Sequence, residues 1–568
     1  MTQFDFVTRQ ALQLRPDPGR VVVRPFKPTI EPRDLNPTDQ KRANHIVTRV
    51  LALDPDTAAA RLVEVLENFE SRHRNLLEVF ESRADEMEDA LAAHTTFTQV
   101  QRRLVGAYFL QENSFEAAAL FNPSIVAHPD QNGAGEGERR FILSLRALGE
   151  GHISSLTFRS GTIAADGGVS IEGSAHLASV PSVLKRSAGP DGDSVEVAFN
   201  ADEDISERVI FPLTPSQSNG IEDARFVQFE EGGETTYYAT YTAYSGRAIR
   251  SELIETTDFV TFRMSPLRGA AAQNKGMALF PRKIGGKYAM IARQDNENLY
   301  LVYSDDLSTW EVGTAILRPQ FPWEFVQIGN CGSPIELDGG WLLLTHGVGP
   351  VRKYSIGAVL LDKADPSKVI GRLPEPLIGP EPAEREGYVP NVVYTCGALR
   401  HRDQIILPYA ISDTFSNFAT IKIPALLQAL AALVIARLER LPTVAVAAVA
   451  LGLLESGVRF NSDTPAAAYP IMAAVMFVVL LVQRTSHTRR SNDAASTWRG
   501  AEEVRPLTVA ERRHPKVRLV RWTLIAVGLV VVLGAPLVLN VDYIIKSSAI
   551  FAFAMSGGGG DPADCAEM

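Results

Sequence analysis

Glu222, Asp223 and Arg225 stand in the stretch Asn219-Gly220-Ile221-Glu222-Asp223-Ala224-Arg225-Phe226, two adjacent carboxylates followed almost at once by a guanidinium. A carboxyl group beside a fixed positive charge can exchange a proton with a bound molecule while its charged form is stabilised, the minimum for acid-assisted cleavage of a polar bond. The Asn-Gly step favours a turn, and Thr235 to Ala243 is an aromatic and β-branched run that reads as a strand. In an extended segment, residues two apart share a face, so Asp223 and Arg225 are expected to point the same way and Glu222 the opposite way. On these residues alone, a surface hairpin with an ordinary salt bridge is an equal reading.

The elements that would hold such a group come from the surrounding chain. Between Phe115 and Ile423 short strand-like runs alternate with turn signals: Phe141 to Arg146, Ile153 to Phe158, Tyr288 to Ala292, Leu299 to Tyr303, Trp341 to Thr345, Ile356 to Leu361 and Ile405 to Tyr409. That pattern predicts an all-β closed or radial architecture. Thr257-Asp258-Phe259-Val260-Thr261-Phe262 and Asp305-Asp306-Leu307-Ser308-Thr309-Trp310 echo each other 48 residues apart, about one propeller blade. Trp310, inside this echo, is expected in a blade core. Ahead of this region lies one strand-like piece, Arg20 to Phe26, and then helical periodicity. A helical segment opened by Pro37-Thr38-Asp39 carries Ile46, Val47, Val50 and Leu51, and Asp54 or Asp56 can cap a second with Leu62, Val65, Leu66 and Phe69. Leu76, Leu77, Val79 and Phe80 continue it, and Phe97, Val100, Leu104, Val105 and Phe109 mark a further helix.

Composition sets bounds. The chain has 568 residues, 45% hydrophobic and 21% charged, with a formal charge of −10 and no basic stripe interleaved with aromatics, which argues against nucleic acid as a partner. Cys331, Cys396 and Cys565 lack metal-ligand spacing and are too few for a disulfide framework, and no metal site is expected. The start of the chain lacks a basic and apolar leader, so the enzyme part is expected in the cytoplasm. Beyond Ile423 the character changes. Leu441 to Val458, Tyr469 to Val482 and Leu519 to Val541 are apolar runs near bilayer length, and Arg484 to Arg521 carries ten Lys or Arg against four Asp or Glu. By the positive-inside rule that loop is cytoplasmic. Leu438 to Arg484 and Val517 to Met555 resemble branched-chain amino-acid ABC-transporter permeases. The expectation is a permease-like fragment at 426–568 with about three transmembrane helices, possessing too few helices for a pathway and able to anchor the enzyme to the inner membrane.

The string Gly-Ile-Glu-Asp-Ala-Arg resembles the Gly-x-Glu-Asp-Pro-Arg motif of glycoside hydrolase family 130, the β-mannoside phosphorylases and mannosidases. Further blocks are similar in the family's order: Phe121-Asn122-Pro123-Ser124, Leu279-Phe280-Pro281 with Arg293, Gly340-Trp341 with His346-Gly347, Asp362 to Pro366 with Arg372, Glu386 to Tyr394, and Tyr409 with Asp413. Together they cover roughly 115–425. The resemblance implies a five-bladed β-propeller over 113–425, between a mainly helical module at 1–112 and the hydrophobic tail. It implies Asp223 as the general acid, acting through a hydroxyl of the bound mannose. Arg293, His346, Tyr354 and Lys275 are implied as the phosphate site, and Asn122, Glu222, Arg225, Tyr388 and Asp413 as substrate contacts. No cofactor is implied, only inorganic phosphate as co-substrate to a β-mannoside. Lys275-Gly276 stands where many phosphorylases of the family carry Arg-Asn, which keeps a charge but loses a bidentate fork. The expected reaction is therefore inverting phosphorolysis of short β-mannosides to mannose 1-phosphate. Its alternatives are an inverting β-mannosidase, using the further carboxylates Glu222, Glu384 and Glu386, and a non-catalytic, membrane-tethered sugar-binding or transporter-associated protein.

Overall fold

A computed structural model describes residues 4–26, 42–91, 97–189 and 192–435. The apolar runs, the basic loop, the permease-like stretches, Cys565 and the Pro37-Thr38-Asp39 helix start lie outside the described residues. Among the described residues no helix is long and apolar enough to cross a membrane.

Between Ala119 and Lys422 the chain is almost all antiparallel sheet, laid down mostly in sequence order. Ala119–Ala127, Arg139–Leu148 and Ser154–Ile163 pair in succession, and a second run follows through Gly220–Glu231, Glu234–Tyr244, Ile249–Thr256 and Thr261–Pro266. A single parallel pair, Gly220 with Ser154, joins these runs into one eleven-stranded sheet. A four-stranded sheet is built from Ala278–Leu279, Tyr288–Ala292, Leu299–Ser304 and Thr314–Leu317, and a five-stranded one around Gln327–Asn330, Gly340–Val348, Tyr354–Leu361 and Val369–Arg372. In the last sheet Val393–Tyr394, Gln404–Ile411 and Phe415–Lys422 are joined by Val7–Leu14, so the first strand of the chain closes the final sheet. Meander after meander with this terminal closure is a propeller-like arrangement, in which each sheet hides its faces against the next.

The echoed segments show how local chemistry repeats between sheets. The Asp258 carboxylate accepts from the backbone N–H groups of Val260 and Thr261 at 2.8 and 2.9 Å, and Asp306 accepts from Ser308 and Thr309 at 2.7 and 2.8 Å. Each carboxylate ties a tight turn, which then delivers a fully buried aromatic, Phe262 or Trp310, into the core. Trp341 is likewise core, its indole N–H donating to the Lys363 carbonyl, so neither tryptophan faces a ligand.

Four helices, Arg42–Leu51, Pro55–Phe69, Leu76–Leu91 and Gln99–Tyr108, pack together through Val47, Val50, Leu62, Leu76, Phe80 and Leu104. Asp54 caps the second, accepting from the Thr57 N–H at 3.0 Å. The run from Leu62 to Phe80 is broken after Phe69 by a short 3-10 turn, so Leu76 begins a separate helix. The Arg74–Glu207 ion pair ties the helical layer to the sheet region, and next to it the strand Val21–Pro25 pairs with Leu110–Ser114 through the backbone. Beneath it, Glu116 is completely buried between Arg20 and Arg159, at 3.1 and 3.0 Å. At the other end, helix Ile423–Ile435 leaves the last strand directly and packs Leu426 and Leu430 into the core, so residues 426–430 pack on the sheets.

Removing the Glu116 charge would leave two buried guanidiniums facing each other. Glu116→Gln is therefore expected to destabilise the protein by about 3–5 kcal/mol, read as a lower urea midpoint of the full chain. A midpoint within error of the parent would show that the cluster does not secure the helical layer.

Candidate active site

Asn122 and Asp223 are brought together by the same backbone device. Opposite Leu145 the strand Ala119–Ala127 carries two residues, Asn122 and Pro123, and opposite Tyr241 the strand Gly220–Glu231 carries Asp223 and Ala224. Each is a bulge in which the first residue adopts a left-handed conformation, φ +50° at Asn122 and +55° at Asp223. The Phe226 N–H donates to Ser124 Oγ at 3.0 Å, locking the two bulged strands side by side. Asn122 Nδ2 then donates to Asp223 Oδ1 at 2.6 Å, while Asn122 Oδ1 is buried with no partner among the described residues.

The bulge corrects one expectation. Glu222 does not turn away from Asp223: Arg146 bonds Glu222 at 2.7 Å and lies 3.7 Å from Asp223, so both carboxylates face one guanidinium. A left-handed residue breaks the strict alternation of a pleated strand, which is the physical reason. A turn at Ser218-Asn219 leads into the strand as expected, and the hairpin beyond it is closed by Glu231-Gly232-Gly233-Glu234. Gly220, at φ +145°, opens the strand where an added Cβ would lie 2.3 Å from Ser154 Oγ.

Arg225 is buried; its Nη1 donates to the Asp223 carbonyl at 2.9 Å, its Nη2 to Tyr394 Oη at 2.6 Å, and its nearest approach to the Asp223 carboxylate is 3.8 Å. Burial works against ionisation of Asp223, but Arg225, Arg146 and Lys275, with the Asn122 hydrogen bond, hold the carboxyl below its usual range. Asp413, also left-handed at φ +48°, behaves oppositely: burial and the nearby Asp223 charge push it up to about 6, against the pull of Arg146 and Arg352.

Opposite these carboxylates lies a set of donors. His346 is buried and stacks on Tyr354, ring centroids 5.9 Å apart, with Tyr394 edge-on at 4.9 Å. Desolvation, then the charges of Arg293 and Arg225, push its pKa well below the ordinary value, so the imidazole is neutral. Arg293 is buried, its pKa lowered by desolvation, and it feels Tyr394, Arg225, Tyr354 and Asp223. Among the described residues it forms no hydrogen bond or ion pair, and its Nε is buried without a partner. Lys275 is half-buried and contributes to the field at Asp223. Tyr388 stays outside this group, exposed, its ring 6.3 Å from that of His152.

Sequence reasoning missed Arg146 and Tyr394. Tyr394 closes a block that resembles the family, which was a usable signal, whereas Arg146 stands inside a strand with nothing local to mark it. Of the other carboxylates, Glu384 is held by Arg9 at 2.5 Å and Glu386 is exposed. Among the described residues no three His, Cys, Asp or Glu side chains are grouped as metal ligands. A cleft of about 280 Å³ lined by His128, Gln131, Arg139, Gln228 and Tyr237 shares none of these residues.

A carboxylate pair at a strand bulge, in the field of a buried arginine that forms no ion pair among the described residues, fits an enzyme of the glycosidic bond on a mainly-β scaffold. The chain belongs to glycoside hydrolase family 130. The family model, described as beta-1,4-mannooligosaccharide phosphorylase, matches residues 193–432. The chain is 36% identical over 225 residues to the 1,2-beta-oligomannan phosphorylase of Thermoanaerobacter sp. (strain X514), spanning 38% of this chain and 73% of that relative. It is 30% identical over 268 residues to the beta-1,2-mannobiose phosphorylase of Listeria innocua, spanning 46% of this chain and 72% of the relative. The solved structure of beta-1,2-mannobiose phosphorylase from Listeria innocua with beta-1,2-mannobiose aligns at 24% identity and a TM-score of 0.40, covering 55% of this chain and 92% of that one.

Because the folded Asp413 holds its proton to about pH 6 while an unfolded aspartate releases it near pH 4, its ionisation costs stability as pH rises through that window. Below the window the folded and unfolded forms are both protonated and the effect vanishes. Asp413→Asn is expected to match the parent near pH 4 and to become the more stable of the two above pH 6. Urea midpoints that run parallel from pH 4 to 7 would contradict this.

Proposed function

We propose that this protein carries out inverting phosphorolysis of short β-mannosides, releasing α-mannose 1-phosphate and a shortened acceptor. The observation that carries the reading is Arg293: a buried guanidinium that among the described residues has no carboxylate partner and no hydrogen bond, beside a neutral His346 and the hydroxyl of Tyr354. Leaving such a charge unmatched is costly unless an anion completes the site. Inorganic phosphate supplies that anion and, being already negative, needs no carboxylate to activate it.

In this reading a phosphate oxygen attacks the anomeric carbon from the face opposite the departing oxygen, the glycosidic bond breaks, and the proton comes from Asp223 through a mannose hydroxyl. Asp223 is ionised in the free protein because cations surround it. An arriving phosphate offsets those cations and raises the affinity of Asp223 for a proton, so the acid is armed when both substrates are present. Asn122, with its free carbonyl oxygen, Glu222, Arg225 and Asp413 are assigned to the mannose, and the exposed Tyr388 to the acceptor side. We read the sheets as five blades, the eleven-stranded one counting as two; the single parallel pair at its middle supports this. The β-1,2 linkage is the first to test, since that is what the two relatives above carry in their names.

A hydrolytic reading rests on Asp413. With Glu384 and Glu222 held by arginines, it is the remaining buried carboxyl of the group, and its raised pKa suits a base that activates water. Lys275 and Gly276 also give phosphate one fewer fork to bind.

Incubation with β-1,2- and β-1,4-mannobiose, with and without phosphate, separates the readings. Mannose 1-phosphate appearing only with phosphate is the expected result, and mannose release indifferent to phosphate would exclude phosphorolysis. Asp223→Asn keeps the oxygen that accepts from Asn122 but cannot give a proton, so kcat should fall by about 100-fold or more with little change in the KM for phosphate. A variant retaining more than a tenth of parental kcat would remove Asp223 from the role of acid.

A further inference from the structure

Asn330 ends the strand Gln327–Asn330, paired with Thr345, one residue from the Gly329–His346 pair. The His346 ring lies directly over Gly329, where an added Cβ would fall 2.2 Å from Cε1, so Asn330 is next to the imidazole along the strand. Its side chain is completely buried, yet among the described residues neither Nδ2 nor Oδ1 has a hydrogen-bond partner. An unsatisfied amide donor and acceptor in a protein interior are costly, and an apolar residue of similar size would fill the space at lower free energy.

The surroundings show what the amide faces. Gly276 has φ +89°, and a Cβ built on it would lie 3.6 Å from Asn330 Oδ1 and 3.9 Å from Arg293 Cβ. The Asn330 carboxamide and Arg293 therefore border the same glycine, with Lys275 adjoining it. Two buried side chains thus pack against one glycine, the amide by its oxygen and the arginine by its Cβ, and among the described residues neither has a hydrogen-bond partner.

We propose that Asn330 is a binding residue for the inorganic phosphate of this reaction, its carboxamide donating to one phosphate oxygen and accepting from the P–O–H of hydrogen phosphate. The assignment rests on the phosphorylase reading above. A carboxamide offers a donor and an acceptor side by side, and hydrogen phosphate is an anion with both unprotonated oxygens and a hydroxyl. Sulfate, which carries no proton near neutral pH, leaves the acceptor unmatched. The amide thus adds selectivity to the attraction that Arg293 and Lys275 exert on any oxyanion.

The test is steady-state kinetics of the full chain on mannobiose with phosphate varied, with sulfate as competitor, on the parent, Asn330→Ala and Asn330→Asp. Asn330→Ala should raise the KM for phosphate about tenfold, the loss of a hydrogen bond to a charged group. Its KM for mannobiose at saturating phosphate should change less than threefold, and its melting temperature without phosphate should equal or exceed that of the parent. The ratio of the sulfate inhibition constant to the phosphate KM should shrink in this variant. Asn330→Asp, with a negative charge facing the anion, should raise the phosphate KM further. An unchanged phosphate KM, or a lower melting temperature with equal losses toward both substrates, would make Asn330 a packing residue and overturn the proposal. Should Asn330→Ala not fold, that too counts against it, and Asn330→Ser, with one donor kept, must then show the phosphate-specific loss. Absence of phosphate-dependent turnover in the parent overturns the phosphorylase reading and this inference together, whereas turnover in the parent with normal phosphate KM in the variants overturns this inference alone.

Discussion

More positive charge is buried around Asp223 than its neighbouring carboxylates match. Arg225 spends its hydrogen bonds on a carbonyl and a tyrosine hydroxyl, and Arg146 is shared between Glu222 and Asp223. Arg293 is left with no partner among the described residues. A folded chain tolerates such an imbalance where a bound anion completes it. His346 is kept neutral by its burial and then by the same cations, so it can donate or accept one hydrogen bond without adding to their repulsion.

The scaffold supplies this imbalance by bringing one edge of each successive sheet to the same place. Asn122, Asp223, Asn330 and Tyr394 all stand on the first strand of their sheet segment. Residues so far apart in sequence cannot be held by local structure, and the cost is met by extensive burial elsewhere, as in the fully buried Phe158, Phe259 and Phe262 cluster and the Leu342, Leu407 and Leu426 cluster. Rigid packing behind the strand ends lets the bulges at Asn122 and Asp223 keep a left-handed backbone that neither residue would hold alone.

Much of the fold was legible. The strands at Tyr288–Ala292 and Leu299–Ser304, the Asp54 cap and the recurrent Asp turn at 258 and 306 follow from short-range rules that depend on a few neighbouring residues. The candidate site was legible where a motif stood close together, as at Glu222 to Arg225. It failed on direction, because simple alternation puts Glu222 on the wrong face, and on partners such as Arg146, 76 residues away, and Arg9, which takes Glu384 across 375 residues.

The sequence by itself determined the residue types and the periodicities: a helical stretch, a long series of short strands, and a carboxylate pair beside an arginine. Only the tertiary structure decided which groups meet. Whether a carboxyl keeps its proton depends on burial and on charges brought in from other sheets, and this is why Asp223 and Asp413, the same residue type, are pushed in opposite directions.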